Sequence, residues 1–257
     1  MKITILGSGS AYGVPMIFNQ WGDVNPLDPH NQRTRASIYI EEKGKSILID
    51  ASPELRIQAN KNNITNIDAV FITHAHYDHI GGIPELPRAA KLLNHGIDVY
   101  ATTETMAGLK DNYSYLFQEK PDAEPDSKKI NWKILPDSGK FIAADLEFDT
   151  LQFLHHHIHS SGFRYKNFAY VTDWQAFPED CENFFNNLDL LIVECNNGTK
   201  PEDNGHSDLN KIIEIKERFN PKRMILSHLS WRIDAKNFTT VLPDGCELSY
   251  DGMIIEI

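Results

Sequence analysis

Phe71-Ile72-Thr73-His74-Ala75-His76-Tyr77-Asp78-His79-Ile80-Gly81-Gly82 decides how the rest of this 257-residue chain is read. Three histidines and an aspartate fall within six residues, directly after the apolar run Ala69-Val70-Phe71-Ile72. The run predicts a buried strand, and the polar cluster is the loop it delivers. Imidazole and carboxylate are both ligands for first-row metals. In an H-x-H-x-D-H spacing they lie too close together for one tetrahedral ion to use all four. The stretch therefore predicts two neighbouring ions, each taking two ligands from this loop and more from elsewhere.

The rest of the chain supplies them. Five predicted strands end in a candidate ligand or its supporter: Asp50, the His74 cluster, His155, Asp173 and His228. Sites in α/β sheets form outside the carboxyl ends of strands, so five such ends point to one pocket. His74, His76 and a third histidine would hold one ion, and Asp78, His79 and His228 the other, with Asp173 bridging them. No thiolate stands among the candidates, which leaves zinc, manganese and iron open. Asp50 fits better as an acceptor that orients the histidine loop. In Leu154-His155-His156-His157-Ile158-His159, His155 is preferred as the third histidine because it sits where the strand ends, with His157 in reserve. His156 and His159 are assigned to solvent or nearby backbone, and His30 and His95 lie outside any ligand pattern. His206 directly precedes the predicted N-cap Ser207 of a helix over Leu209 to Phe219. A helix start favours anions, so a histidine there could meet a phosphate and protonate a leaving oxygen. Position alone does not separate that role from none.

The remaining elements alternate in type. A first strand covers Lys2 to Leu6, a hairpin Ser37 to Ile49, and a helix Pro53 to Asn60 with Ser52 as N-cap. A loop is expected around Pro121 and Pro125, and a final hairpin over Leu248 to Ile257 around Asp251-Gly252. Residues 11 to 35 form a long irregular stretch, closed by Arg33 and Arg35, which could hold a phosphate. No repeat, linker or composition break appears, so residues 1–257 read as one mixed α/β domain.

Bulk properties narrow the partners. Hydrophobic residues make up 41% and charged ones 24%, ordinary for a globular protein. The net charge of −11 repels nucleic acid at long range, and no basic run offsets it. The odd set Cys181, Cys195 and Cys246 argues against a disulfide framework and for a reducing, cytoplasmic setting. The opening Met1-Lys2-Ile3-Thr4-Ile5-Leu6-Gly7 reads as strand and turn, not as a signal peptide, and no apolar run matches a membrane span.

Asp50, His74-Ala75-His76-Tyr77-Asp78-His79, His155, Asp173 and His228, in that order, resemble the metallo-β-lactamase superfamily. The chain looks most like its phosphodiesterase branch, which includes ribonuclease Z and the phosphoribosyl cyclic phosphate diesterases. Gly7-Ser8-Gly9, Gly13-Val14-Pro15, Gly205-His206-Ser207-Asp208-Leu209-Asn210 and Leu242-Pro243-Asp244-Gly245 carry that likeness across almost the whole chain. The resemblance implies an αββα four-layer sandwich with mixed sheets and a two-metal hydrolytic site. It implies that His206 contacts the scissile phosphate and that Ser160, Ser161 and Arg164 belong to a loop beside the site. Two departures stand out. Residues 11 to 35 contain no cysteine for the structural zinc of the phosphonate-pathway diesterases, and Trp231 stands where its histidine is expected. No protruding arm for tRNA lies between Asp173 and His206.

The expected activity is hydrolysis of a small cyclic or nucleotide-like phosphodiester through a metal-bridging hydroxide, with Asp78, Asp50 and His206 as the catalytic set. The alternatives are a thioesterase or lactonase of the same fold, or a non-catalytic metal-binding accessory protein. A homodimer is left open.

Overall fold

The apolar strands assemble into two mixed sheets, and the strand ends that carry the candidate ligands lie along one rim of them. The structure is a computed structural model and describes residues 1–118, 130–202 and 204–257, so the expected loop around Pro121 and Pro125 lies outside the described residues. The first half runs β1 (Lys2–Gly7), β2 (Ser37–Glu42), β3 (Lys45–Ile49), α1 (Leu55–Lys61), β4 (Ala69–Phe71), α2 (Tyr77–Ile80), α3 (Leu86–Leu93), β5 (Ile97–Ala101), α4 (Thr103–Asn112) and β6 (Ile130–Ile134). The second runs β7 (Ser138–Ala143), β8 (Leu146–His155), β9 (Ile158–Tyr165), β10 (Phe168–Val171), α5 (Glu182–Phe185), β11 (Leu190–Glu194), α6 (Leu209–Phe219), β12 (Arg223–Ser227), α7 (Ala235–Phe238), β13 (Cys246–Leu248) and β14 (Ile254–Glu256).

Each sheet has seven strands, in the orders β14-β1-β2-β3-β4-β5-β6 and β13-β12-β11-β10-β9-β8-β7. The plan is the same in both: an antiparallel part made of hairpin-like neighbours, then a parallel part whose crossovers carry the helices. Ile3, Ile38, Ile49 and Phe71 from one sheet meet Phe148, Phe163, Tyr170 and Ile192 from the other in the central core. The outer faces are covered by α1, α3 and α4 on one side and by α5, α6 and α7 on the other. The result is an αββα sandwich. Phe71 anchors the strand that leads into the histidine loop. Its ring lies 5.0 to 5.6 Å from those of Tyr100, Phe141, Phe148 and Phe163, contacts that span both sheets. Burying such a side chain contributes about 1.5–3 kcal/mol, and it fixes the point where the His74 loop leaves the core.

Several local expectations change. The final hairpin does not form, because β13 pairs with β12 and β14 with β1, in different sheets. The Asp251 carboxylate instead accepts from the backbone and hydroxyl of both Ser8 and Thr34, tying the turn to the loop after β1. Residues 160–164 are not a loop but the middle of β9, paired with β8 from Asp149↔Arg164 to His155↔Ile158. Helix α6 is capped by Asp208, whose side chain accepts from the Asn210 and Lys211 amides, while Ser207 Oγ donates to the Glu194 carbonyl. At α1, Glu54 holds the cap position and Ser52 Oγ donates to Gln58 Oε1. No helix among the described residues is long and apolar enough to cross a membrane. The three cysteines are unpaired, with Cys181 and Cys195 buried.

Candidate metal centre and its acid

Two sets of donors converge beneath the strand ends. In the first, His74 Nε2 lies 2.9 Å and His155 Nε2 3.3 Å from His76 Nδ1. Asp173 Oδ2 lies 3.7 Å from His74 Nε2 and 3.6 Å from His155 Nε2. In the second, Asp78 Oδ2 lies 3.0 Å from His79 Nε2 and 3.2 Å from His228 Nε2. The other Asp173 oxygen, Oδ1, is 3.5 Å from His79 Nε2 and 3.2 Å from His228 Nε2. Asp173 thus presents one oxygen to each set. His155 is the buried member of its run, while His157 is an exposed turn residue between β8 and β9.

The backbone is bent to make this possible. Asp50, Asp173 and His228 follow β3, β10 and β12 with φ of 64°, 51° and 54°. Left-handed conformations in residues other than glycine cost about 1–3 kcal/mol each and cluster where function over-determines them. Here each turns its side chain back across the sheet ends instead of continuing the strand's alternation.

The far sides of the rings are also held. Asp50 is fully buried; its Oδ2 is 2.7 Å from His79 Nδ1, and it accepts from the Thr73 amide and hydroxyl. The His155 Nδ1–H donates to the Gly205 carbonyl at 2.9 Å, which leaves Nε2 as a lone pair. His228 Nδ1 lies 3.3 Å from the Asn196 amide. Such partners fix tautomer and ring direction.

Protonation shows what the cluster lacks. Burial pushes His74 well below the usual imidazole range and His155 down to about 4. Burial also opposes charge on His79, but Asp78, Asp50 and Asp173 together outweigh it and hold that ring protonated. Asp173 and Asp78 stay well below the ordinary carboxylate value despite burial, Asp173 through His228 and His79, Asp78 through His79 first. Within this buried set of carboxylates, the proton on His79 stands where a cation would supply positive charge. His79 Nε2 has no hydrogen-bond partner among the described residues although it is fully buried. An orphaned nitrogen, opposed lone pairs and buried carboxylates together fit divalent cations.

His206 closes the site between the two sets, its ring centroid 5.0 Å from that of His155 and 5.5 Å from that of His228. Its Nδ1 is 2.7 Å from Glu194 Oε1. Burial lowers the His206 pKa, but Glu194 wins and raises it to about 9. Glu194 is itself fully buried, and its Oε2 accepts from the Trp174 amide at 3.1 Å. Sequence reasoning missed this carboxylate. The signal was present, since Leu190-Leu191-Ile192-Val193 delivers Glu194 at a strand end as the other strands deliver theirs.

The expected substrate contacts are placed differently from one another. Both are buried: Ser160 Oγ donates to the carbonyl of Thr172, next to Asp173, and the Ser161 amide to that of Thr73, next to His74. Arg164 commits its guanidinium to the carbonyls of Lys166, Asn183, Phe184 and Asn186. Arg33 is buried, with every guanidinium nitrogen donating to His30, Asn31, Ser230 or Ile233 oxygens. It clamps the 11–35 stretch onto the segment after His228. Arg35 pairs with Glu54 and donates to the Ala11 carbonyl. Trp231 packs over Gly22, where a Cβ would lie 2.5 Å from the ring.

Buried histidine and aspartate donors at the strand ends of an αββα sandwich make a candidate metal centre of the kind found in metal-dependent hydrolases. Residues 45–229 match the Beta-lactamase superfamily domain, and the chain belongs to that superfamily. It is 29% identical over 257 residues to an octanoyltransferase of Porphyromonas gingivalis, covering 98% of this chain and 51% of that protein, so it spans about half of that relative's length. It is 22% identical over 311 residues to the ribonuclease Z of Alkaliphilus oremlandii, covering 93% and 91% of the two chains. A solved structure described as a new diphosphatase from the PhnP family superposes with a TM-score of 0.88 at 27% identity, over 100% of this chain and 97% of that one. Zinc-bound PqqB from Methylobacterium extorquens shares the fold, with a TM-score of 0.77 at 19% identity over the full length of both.

Proposed function

We propose that this protein is a two-metal phosphodiesterase acting on a small cyclic or nucleotide-like phosphodiester. His74, His76, His155 and one Asp173 oxygen would hold one ion, and Asp78, His79, His228 and the other Asp173 oxygen the second. The nitrogen and oxygen donor set suits zinc or manganese, and iron is compatible with it. When bound, such ions supply Lewis acidity and an activated water at neutral pH. Asp50 keeps the His79 ring in its orientation through the 2.7 Å contact at Nδ1. His206 acts as the general acid: Glu194 takes its Nδ1–H, which leaves Nε2–H to protonate the departing oxygen.

The observation that carries the reading is the Glu194–His206 pair set between the two donor clusters. A buried carboxylate that keeps a histidine charged suits bond breaking in which the leaving oxygen must be neutralised. The names ribonuclease Z and diphosphatase among similar proteins point toward phosphorus–oxygen bonds as well. The acyl-transfer name of the half-matched relative keeps thioester cleavage as the second reading. Substituting His206→Ala separates them. Turnover of a diester with an alkyl leaving group should fall about 10²-fold or more, and that of a p-nitrophenyl diester much less, because nitrophenolate leaves without a proton. Metal content should not change. Equal losses on both substrates, or wild-type turnover of thioesters alone, would sink the assignment.

A further inference from the structure

His156 is the one histidine beside the site with no part in the proposed mechanism. It sits at the β8–β9 turn in the left-handed region, with φ of 52°. Its ring is exposed, yet it is not loosely placed. A Cβ on Gly205 would lie 2.6 to 2.7 Å from three of its ring atoms, so the imidazole lies flat against bare Gly205 backbone. The ring centroid is 4.5 Å from that of His155, 5.8 Å from that of His206 and 6.4 Å from that of His76. Neither ring nitrogen has a hydrogen-bond partner among the described residues. A nitrogen of His156 and one of His206 lie within 4.8 Å of each other. One phosphoryl group, with hydrogen bonds of about 2.8 Å to its oxygens, spans that separation.

Resting on the phosphodiesterase reading, we infer that His156 and His206 form a subsite for a second phosphoryl group on the leaving side, so that the favoured substrate is a diphosphate diester. His206 meets the oxygen that departs. His156 is exposed where His206 is only partly so, which sets it beside the outward path of a leaving group that departs past His206. With a carbon there, the free N–H of His156 has nothing to bind; with a second phosphorus, it meets a charged oxygen. In the reaction, the water oxygen joins the attacked phosphorus and the bond from that phosphorus to the bridging oxygen breaks. The bridging oxygen leaves on the second phosphoryl group with the proton of His206. The proton lost by the water restores His206.

The test is His156→Asn, a residue that tolerates positive φ and so preserves the turn. A hydrogen bond to a charged group contributes about 1.5–3 kcal/mol, which is roughly tenfold or more in kcat/KM. The metal-loaded variant should lose at least tenfold more activity on a diphosphate diester than on an alkyl monophosphate diester. Its affinity for inorganic diphosphate, by titration calorimetry, should fall similarly while that for inorganic phosphate moves less. Equal losses on both substrates, or unaltered diphosphate binding, would overturn the subsite. If the wild-type protein cleaves neither diester, the hydrolase reading fails, and diphosphate binding alone then decides the subsite.

Discussion

Replacing Glu194 by Gln removes one negative charge and keeps the shape of the side chain. In the native protein, Glu194 outweighs burial and lifts His206 from an ordinary 6.5 to about 9. At 1.36 kcal/mol per unit, that shift is roughly 3 kcal/mol favouring the protonated ring. Without that charge, burial is opposed by Asp173 and Asp78 alone, both weaker than Glu194, and the value falls toward the ordinary one. The proton-donating form is present at low pH and is lost as pH rises through the pKa, so a lower pKa moves that loss to lower pH. At pH 8 a ring with a pKa near 9 is roughly nine-tenths protonated, and one near 6.5 about 3%, a thirtyfold difference in the active form. Bound cations lower both values, so the displacement between the two proteins is the quantity to measure. The pH profile of kcat/KM on an alkyl phosphodiester should show its alkaline limb moved down by about two units in Glu194→Gln, at equal metal content. Superimposable limbs would refute the role given to this pair.

Three further outcomes are expected. Gly205→Ala puts a side chain at φ of 75° and into the His156 ring. It should cost about 1–3 kcal/mol in stability and, by moving the carbonyl that orients His155, weaken binding of one ion roughly 10- to 100-fold, read by competition with a chelator. Asp173→Asn should lower the bound metal from two ions to one or none; retention of both would remove the bridging role. For the chelated protein, the melting temperature should peak near pH 6.5. Below it, His155 held at about 4 leaves the unfolded state binding more protons, and above it His206 held at about 9 reverses that sign. A flat melting temperature across that window would contradict the protonation pattern.

Much of the fold could be read from local pattern because its signals are local. Apolar runs such as Leu190 to Val193 announce strands, and a polar residue at the end of each announces the rim they share. What escaped reading is non-local. The residues flanking Asp251-Gly252 have the look of a hairpin, yet each pairs with a strand far away, since a turn does not say whose partner its arms will be. Strand β9 carries Ser160, Ser161 and Gly162 in its buried middle, which erases the alternation that would mark it. Asp208 rather than Ser207 caps α6 because Ser207 is drawn to the Glu194 carbonyl, a contact set by tertiary packing. Arginine has the same ambiguity: Arg33 and Arg164 look available to an anion in sequence, and in three dimensions backbone carbonyls occupy them.

The donors are split between the two sheets. His74, His76, Asp78 and His79 come from the first half of the chain, and His155, Asp173 and His228 from the second. Neither half holds all the donors of either cluster. During synthesis on the ribosome, the early loop must therefore wait for some 150 more residues before His228 emerges to complete its partner set. On the proposed two-ion reading, metal capture would be a late event in maturation, and a bound ion would act as a rivet through the seam between the sheets. Loss of metal and separation of the two halves should therefore be linked processes.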